Sequence, residues 1–184
     1  MLVSKAARRY SIALLELSKE QNVVDKTLGD IQFINNTIID SRELESFLKS
    51  PIIKPAMKKD TLITIFKDHI NDLSLQFVSL IATKERSAIL EQITSSFIRE
   101  YNKFAGIIEV EVRAAKKLSA KQVKELQKVL EKTTSMKVNL SSVEQSELKG
   151  GLLVKIEDTV IDGTIKRKLE QLEERLLNNT IELN

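Results

Sequence analysis

The chain has 184 residues, of which 42% are hydrophobic and 30% charged, with a formal net charge of +3. This balance is typical of a folded, helix-rich protein and excludes an intrinsically disordered one. The absence of cysteine and the single histidine, His69, exclude disulfides and thiolate chemistry and argue against a zinc site.

The N-terminal sequence indicates no export. It lacks the apolar core and cleavage site of a secretory signal, and no stretch approaches the roughly 20 apolar residues that a membrane span requires. We therefore expect a chain that its own sequence neither exports nor embeds in a membrane. Because no presequence is visible, we expect a bacterial or organelle-encoded protein.

Basic residues are spread along the whole chain. The 29 lysines and arginines alternate with 26 acidic residues, and aromatic residues make up only 4% of the chain, too few for a base-stacking platform. We interpret the basic runs as solvated faces, and a basic nucleic-acid-binding module stays an alternative. The densest runs are Arg8-Arg9, Lys58-Lys59, Lys116-Lys117 and Lys166-Arg167-Lys168.

The first helix begins near Ser4 and has an apolar face that contains alanine. Alanine lets a neighbouring helix approach closely, and Ile12 and Leu15 lie off this face. The residues predicted to point inward are Val3, Ala6, Ala7, Tyr10, Ala13, Leu14 and Leu17.

Helical periods continue to about Phe104 and predict five further helices. The second helix spans about 23–39, with Val24, Leu28, Ile31, Ile34 and Ile38 inward, and the third is capped by Asp40 with Glu43 and runs through Leu48. The fourth helix starts at Pro55 and ends near His69, with Met57, Leu62, Ile65 and Phe66 inward. The fifth helix spans about 73–84 behind a cap at Asn71 or Asp72, and the sixth is capped by Ser87.

The fifth predicted helix is apolar around most of its circumference. Such a helix is either central in a bundle or covered on one side by a partner. Its apolar residues are Leu73, Leu75, Phe77, Val78, Leu80 and Ile81.

At Gly106 the hydrophobic period changes from helical to alternating. Ile108, Val110 and Val112 predict a half-buried strand, so we place the domain boundary here, with a helical domain at 1–105 and an α+β domain at 106–184. A capping box at 119–122 opens a helix, followed by a strand at about 136–143. The inward residues of this helix are predicted to be Val123, Leu126, Val129 and Leu130.

The segment 150–176 predicts a strand, a turn and a terminal helix. Asp162-Gly163 favours a tight turn with positive φ, and Thr164 is a plausible helix cap. The terminal helix carries one narrow apolar stripe, which either completes the small domain's core or contacts a partner. The stripe consists of Ile165, Leu169, Leu172 and Leu176.

No constellation of residues predicts catalysis, a cofactor or a metal. Gly150-Gly151 lacks the surrounding residues of a phosphate loop. Asp158 and Asp162 lie at a turn without a third ligand, and His69 sits at a helix end without a nucleophile or base partner. We expect structural roles for all of them.

Three segments resemble one family, the delta subunit of bacterial and chloroplast F-type ATP synthases, equivalent to the mitochondrial oligomycin sensitivity conferral protein. They are AARRYSIALLELSKE in the first helix, EVEVRAAKKLSAKQVKEL in the middle, and GGLLVKIEDTVIDGTIKRKLEQL near the end. The chain has Thr164 where many members have serine, and either hydroxyl caps a helix.

The resemblance implies a mainly α fold, a six-helix N-terminal bundle followed by a small α+β domain. It implies a non-catalytic stator subunit without cofactors, present once per complex, that resists rotor torque in the proton-translocating enzyme. The bundle would hold the N-terminal segments of the alpha subunits, and the second domain would bind the b subunits of the peripheral stalk. The expected location is the cytoplasmic face of the bacterial inner membrane, or the stromal face of the thylakoid.

In the family, the partner groove lies between the first and fifth helices. Our hypothesis assigns to it Tyr10, Ile12 and Leu15 on the first helix and Phe77, Leu80 and Ile81 on the fifth, and the helical period leaves open which of these face outward. A generic helical adaptor unrelated to ATP synthase shares the composition and the lack of chemistry, and stays an alternative.

Overall fold

The computed structural model describes residues 4–156 and 159–181, with side chains described as far as residue 173. The protein is mainly helical, as the sequence predicts, and the small sheet of the described residues has four strands where the sequence predicts three. It divides into two compact units, Met1–Phe104 and Ala105–Asn184. Three sites of the sequence predictions lie outside the described residues: Val3, Asp158 and the side chain of Leu176.

In its described residues, the first unit consists of helices joined by short turns and contains no strand. A single 3₁₀ turn, Ser87–Ile89, precedes the last helix. The helices are α1 (Lys5–Glu20), α2 (Val24–Asp40), α3 (Arg42–Lys49), α4 (Pro55–Phe66), α5 (Asp72–Thr83) and α6 (Leu90–Phe104).

Side-chain caps fix where three of these helices begin. The Ser4 and Asn71 side chains accept the backbone N–H of Ala7 and Ser74, as expected for N-caps of α1 and α5. The prediction of Asp40 as the cap of α3 is wrong, because Asp40 still belongs to α2 and the hydroxyl of Ser41 accepts the N–H of Leu44 instead.

Ser87 is the second cap that the sequence predicts wrongly. It lies inside the 3₁₀ turn, and its buried hydroxyl has no hydrogen-bond partner in the described part of the chain. The turn delays the start of α6 to Leu90.

One apolar core holds the first unit together. The inward residues predicted for α2 and α4 are largely correct, since Ile31, Ile34 and Ile38 are buried together with Leu62 and Phe66. Met57 was also predicted inward, but it is 60% exposed. It lies in the first turn of α4, off the face that buries Leu62 and Phe66.

The face of α1 that packs against α6 is formed by small polar residues. Ser11 and Ser18 are fully buried, and the Ser11 hydroxyl lies 2.9 Å from the Ser96 hydroxyl. Arg8 pairs with Glu100 at 3.3 Å along the edge of the same contact. The small side chains let the two helices approach closely, as the sequence predicts, but through serines as well as Ala7.

These buried serines rotate α1 relative to the orientation that the apolar pattern predicts. Leu15, expected off the buried face, is buried. Ala13 and Leu17, expected to point inward, are exposed. Because a hydrogen-bonded hydroxyl can be buried, a pattern that treats every serine as a surface residue assigns the wrong face of α1 to the core.

The second unit contains a mixed sheet in the order β2-β1-β3-β4. The β1–β2 pair is parallel, and the β1–β3 and β3–β4 pairs are antiparallel. A 3₁₀ turn, Ser146–Leu148, precedes β3. The elements are β1 (Ile107–Ala114), α7 (Ala120–Thr134), β2 (Lys137–Glu144), β3 (Leu152–Ile156), β4 (Thr159–Asp162) and α8 (Ile165–Ile181).

The core of the second unit lies between the sheet and α7. Ile108, Val110 and Val112 of β1 are buried with Val138 of β2, as their alternation predicts. Leu126 and Leu130 of α7 pack on them, and the predicted capping box of Ser119 and Gln122 is present. Val129, also predicted inward, is 60% exposed.

The glycines of the β3 and β4 segment have different roles from those predicted. Gly163 does not adopt positive φ, whereas Gly151 does, at φ +80°. A Cβ on Gly151 would lie 2.4 Å from the carbonyl oxygen of Gly163, so only glycine fits this close approach. The Gly163 N–H donates to the carbonyl of Leu152 at 2.9 Å and thereby continues the pairing of β4 with β3.

Candidate protein-binding surfaces

The polar residues considered for chemistry have structural contacts. Asp162 accepts the backbone N–H of Thr164 at 2.9 Å, and this hydrogen bond, followed by that of the Thr164 side chain, lowers the pKa of the Asp162 carboxyl. Thr164 caps α8 by accepting the N–H of Arg167 at 3.1 Å, as predicted. The ring of His69 lies 5.3 Å from that of Phe33. In the described residues, no cluster of three or more metal-ligating side chains occurs.

The interpretation of Lys58 as part of a solvated basic face is wrong. Lys58 is buried, and its ammonium donates to the carbonyls of Leu48 and Ser50, each at 2.7 Å. It thereby caps the C-terminal end of α3, where a cation is favourable. The adjacent Lys59 is only half-buried, so neighbouring lysines in one run have different roles.

The six residues predicted for the partner groove fall into three groups. Leu15, Phe77 and Ile81 are buried in the core of the first unit and stabilise the fold there. Tyr10 is half-buried and packs against the same core, and Ile12 is half-buried outside it. Leu80 alone among the six is largely open, with 45% of its side chain exposed. The helical period left open which of the six side chains face outward, and burial shows that Leu80 does so most.

An apolar strip on α1 combines Tyr10, which was predicted for the partner groove, with three residues that were predicted only to point inward. It consists of Ala6, Tyr10, Ala13 and Leu17, spaced four, three and four residues apart and thus on one side of the helix. All four are half-buried or exposed, and Leu17 is 45% exposed. We call this the α1 strip. Its spacing was visible in the sequence, but its exposure was not.

A second strip lies on α5. It consists of Leu73, Phe77 and Leu80, spaced four and three residues apart, of which Leu73 is half-buried and Phe77 is at the edge of the core. We call this the α5 strip. α1 packs mainly against α6, α5 mainly against α4, and both also contact α2. The helices that carry the two strips, α1 and α5, therefore both pack against α2.

A third apolar surface lies on α8 in the second unit. Ile165, Leu169 and Leu172 are each about half exposed, so the structure does not bury this stripe in the small domain's core. Val160 and Ile161 of the edge strand β4 are also exposed. We call Ile165, Leu169 and Leu172 the α8 stripe. Its repeat of four and three is the pattern by which one helix packs on another.

The fold and these surfaces define a class of protein: a mainly helical protein with exposed apolar strips on regular helices. No described helix is long and apolar enough to cross a bilayer. The exposed apolar strips on regular helices are the features that a protein partner would contact.

Comparison with known proteins identifies the family. Residues 6–176 match the family model of the ATP synthase delta (OSCP) subunit. The chain is 38% identical over 172 residues to "ATP synthase subunit delta" of Chlorobaculum tepidum, covering 94% of this chain and 95% of the relative. It is 32% identical to the subunit of the same name from Chloroherpeton thalassium, covering 95% of each chain.

A solved structure confirms the fold. A chain in the cryo-EM structure of the Toxoplasma gondii mitochondrial ATP synthase hexamer has a TM-score of 0.74 with this protein, covers 95% of it, and is 24% identical in sequence. The chain therefore belongs to the ATP synthase delta (OSCP) subunit family. It is a peripheral-stalk subunit, and the catalytic sites of the enzyme lie in other subunits.

Proposed function

We propose that this subunit ties the catalytic head of the ATP synthase to its b-subunit stalk through two separate surfaces, one on each unit. The first unit serves as a six-helix bundle that holds an N-terminal segment of the alpha subunits. The second unit binds the b subunits. One copy per complex, at the cytoplasmic face of the membrane, resists the torque of the rotor.

The observation that carries the first half of this proposal is the pair of strips on α1 and α5. An amphipathic helix binds in an apolar groove through side chains at positions i, i+3, i+4 and i+7. The α1 strip and the α5 strip have this spacing and leave Leu17 and Leu80 exposed. Tyr10 suits such a surface, since its ring is apolar and its hydroxyl reaches water. Ile12 lies on the opposite side of α1 from Tyr10 and Leu17 and is left out of the revised surface.

The second half of the proposal is supported by the α8 stripe. Its residues are exposed on a helix whose other positions are mainly charged. Burying one leucine side chain fully contributes about 1.5–3 kcal/mol, so three exposed apolar side chains in one line favour a helical partner.

The test of the first half is a titration with a peptide of the first 25 or so residues of the cognate alpha subunit, a length that gives a helix enough turns to be stable. Leu17→Asp and Leu80→Asp are each expected to weaken binding at least tenfold, because each places a charge against an apolar contact. Ile52→Asp is the matched control, since Ile52 is exposed in the same unit and lies outside both strips.

Circular dichroism of each variant checks that the fold is retained. Unchanged affinity in both strip variants, with the fold intact, would show that the alpha segment binds elsewhere. Failure of the unmodified protein to bind the peptide at all would remove the proposed role of the first unit.

A further inference from the structure

A groove in the second unit lies beside α7. It has a volume of about 590 Å³ and runs between the N-terminal half of α7 and the segment that leads into β3. Its apolar wall is formed by Leu118, Leu126, Val129 and Leu152. Val129 is the residue that the core leaves uncovered, at 60% exposure.

Among the described residues, the β3 side of the sheet is less covered than the β1 side. Val112 of β1 is fully buried, whereas its register partner on β3, Val154, is only half-buried on the same face. The same difference separates Val110 from its partner Ile156. α7 packs over β2 and covers the β1 side of the core, so the β3 side is only partly covered.

The rim of the groove carries an excess of positive charge. Lys116, Lys117 and Lys149 line it, against one carboxylate, Glu125. Throughout the described part of the chain, no carboxylate lies within ion-pair distance of any of these three lysines. A site with an apolar wall and three ammonium groups that no described carboxylate pairs with is complementary to an apolar segment that carries carboxylates.

The backbone fixes one of these lysines at the rim. Lys149 has φ +57° and is followed by Gly150 and Gly151, both with positive φ. The Gly150 carbonyl accepts the N–H of Ile165 at 3.0 Å, and Gly151 lies against the backbone of Gly163. This tight loop is anchored to the start of α8, so the Lys149 backbone is held in place before any partner binds.

We propose that this groove receives the end of an amphipathic partner helix, with its apolar side chains on Leu126, Val129 and Leu152 and its carboxylates paired with Lys116, Lys117 and Lys149. The proposal rests on the proposed function, in which the second unit binds the b subunits, and it specifies the chemistry of that contact. The docking end of the partner is acidic. The apolar wall disfavours a phosphate backbone, which would leave it uncovered.

The test measures binding of the full chain to the soluble part of the cognate b subunit at low and moderate salt. The groove variant is Lys116→Glu/Lys117→Glu/Lys149→Glu. The matched control is Lys124→Glu/Lys128→Glu/Lys132→Glu, which makes the same charge change on exposed α7 residues outside the groove. The groove variant is expected to weaken binding by a factor of ten or more, and the control by less than about threefold.

A second arm changes the partner and the apolar wall. A b fragment whose acidic residues at the docking end are replaced by the corresponding amides is expected to bind the unmodified chain about tenfold more weakly, with a smaller salt dependence. Val129→Glu, at an exposed position, is expected to weaken binding while leaving the circular dichroism spectrum unchanged.

The outcomes separate the two proposals. Equal affinity of the acidic and amide fragments, or of the groove and control variants, overturns the groove proposal while b binding by the second unit stands. No b binding by the unmodified chain overturns the proposed role of the second unit and the groove proposal together. Sedimentation of the chain without b tests for self-association. If the chain self-associates and the groove variant does not, the occupant of the groove is a second copy of this chain, and the proposal is overturned.

Discussion

The hydroxyl oxygens of Ser11 and Ser96 lie 2.9 Å apart in the buried contact between α1 and α6. Ser11 Oγ also donates to the Arg8 carbonyl at 2.9 Å, so Ser96 is the donor within the pair. This hydrogen bond joins the first and last helices of the unit, 85 residues apart in sequence. The hydrogen bond also satisfies both hydroxyls, so the face of α1 that carries serines can be buried against α6.

Removing one hydroxyl of this pair is expected to destabilise the protein. Ser11→Ala leaves the buried Ser96 hydroxyl without its acceptor, which costs about 1–3 kcal/mol. The double variant Ser11→Ala/Ser96→Ala should cost less than the sum of the single variants, with a coupling of at least about 0.5 kcal/mol. Urea unfolding of the four proteins measures this cycle.

Thr37→Ala is the control for that cycle. Thr37 is a half-buried residue whose hydroxyl donates to the carbonyl of Phe33 at 2.8 Å within the same helix. Its loss is expected to change stability by less than about 0.5 kcal/mol. Additive effects of the two serine variants would contradict a direct bond between them.

The buried cap supplied by Lys58 gives a second prediction. Lys58→Met keeps the length and apolar part of the side chain but removes the donor to the carbonyls of Leu48 and Ser50. We expect a loss of about 1–3 kcal/mol in the free energy of unfolding, because two carbonyls at the end of α3 lose their partner. Lys59→Met on the neighbouring residue is the control, with an expected change within about 0.5 kcal/mol. Equal effects of the two substitutions would argue against the cap.

Two glycines with opposite surroundings give a third prediction. Gly151→Ala places a Cβ 2.4 Å from the Gly163 carbonyl oxygen at a residue with φ +80°, and should destabilise the second unit by at least about 1–3 kcal/mol. Gly29→Ala adds a Cβ with nothing within 4 Å, inside α2, and should stabilise the first unit by about 0.5–1 kcal/mol. Thermal unfolding shows the two shifts, and a shift of the same sign in both variants would contradict the assignment.

The Asp162 carboxylate predicts a dependence of stability on pH. Its hydrogen bonds from Thr164 lower the pKa of Asp162 in the folded protein below its ordinary value of 3.8. A carboxyl with a lowered folded pKa stabilises the fold above the unfolded pKa, and this contribution is lost as the pH falls through the folded pKa. The stability difference between the unmodified chain and Asp162→Asn should therefore be constant near neutrality and decrease below about pH 4.

Unfolding by denaturant at a series of pH values measures this difference. A difference that stays constant down to the lowest pH would show that Asp162 acts through hydrogen-bond geometry alone.

The α8 stripe predicts a separation of stability from binding. Leu169→Asp and Leu172→Asp alter side chains that are about half exposed, so they should change the unfolding free energy by less than about 1 kcal/mol. Both should reduce pull-down of the soluble b subunit strongly. Gln171→Asp adds the same charge at an exposed position off the stripe and is expected to bind as the unmodified chain does. Strong unfolding by the leucine variants would instead assign the stripe to the domain's own core.

The apolar period of the chain determined most of its secondary structure. All eight described α-helices and the strands β1, β2 and β3 were predicted within a few residues, because helical and alternating patterns differ strongly and hydroxyl residues such as Ser119 and Thr164 mark helix starts. The separate strand β4 was not predicted, because Val160 and Ile161 continue the apolar run of β3 in the sequence. The family was recognisable as well, since the segment that ends in the Asp162-Gly163 turn and α8 is distinctive. The lack of a catalytic constellation was evident from residue types alone.

Only the tertiary structure decided which apolar residues are core and which are surface. Leu15 and Ile81 were expected near a partner and are buried, whereas Leu17 and Val129 were expected inside and are exposed. The reason is that burial depends on the neighbouring element: paired serines can fill a tight helix contact, and a lysine can satisfy carbonyls in the interior, so polarity in the sequence does not fix orientation. The sequence determined which helices form and that they carry apolar stripes. The packing of α1 on α6 and of α7 over β2 determined which stripes stay open to a partner.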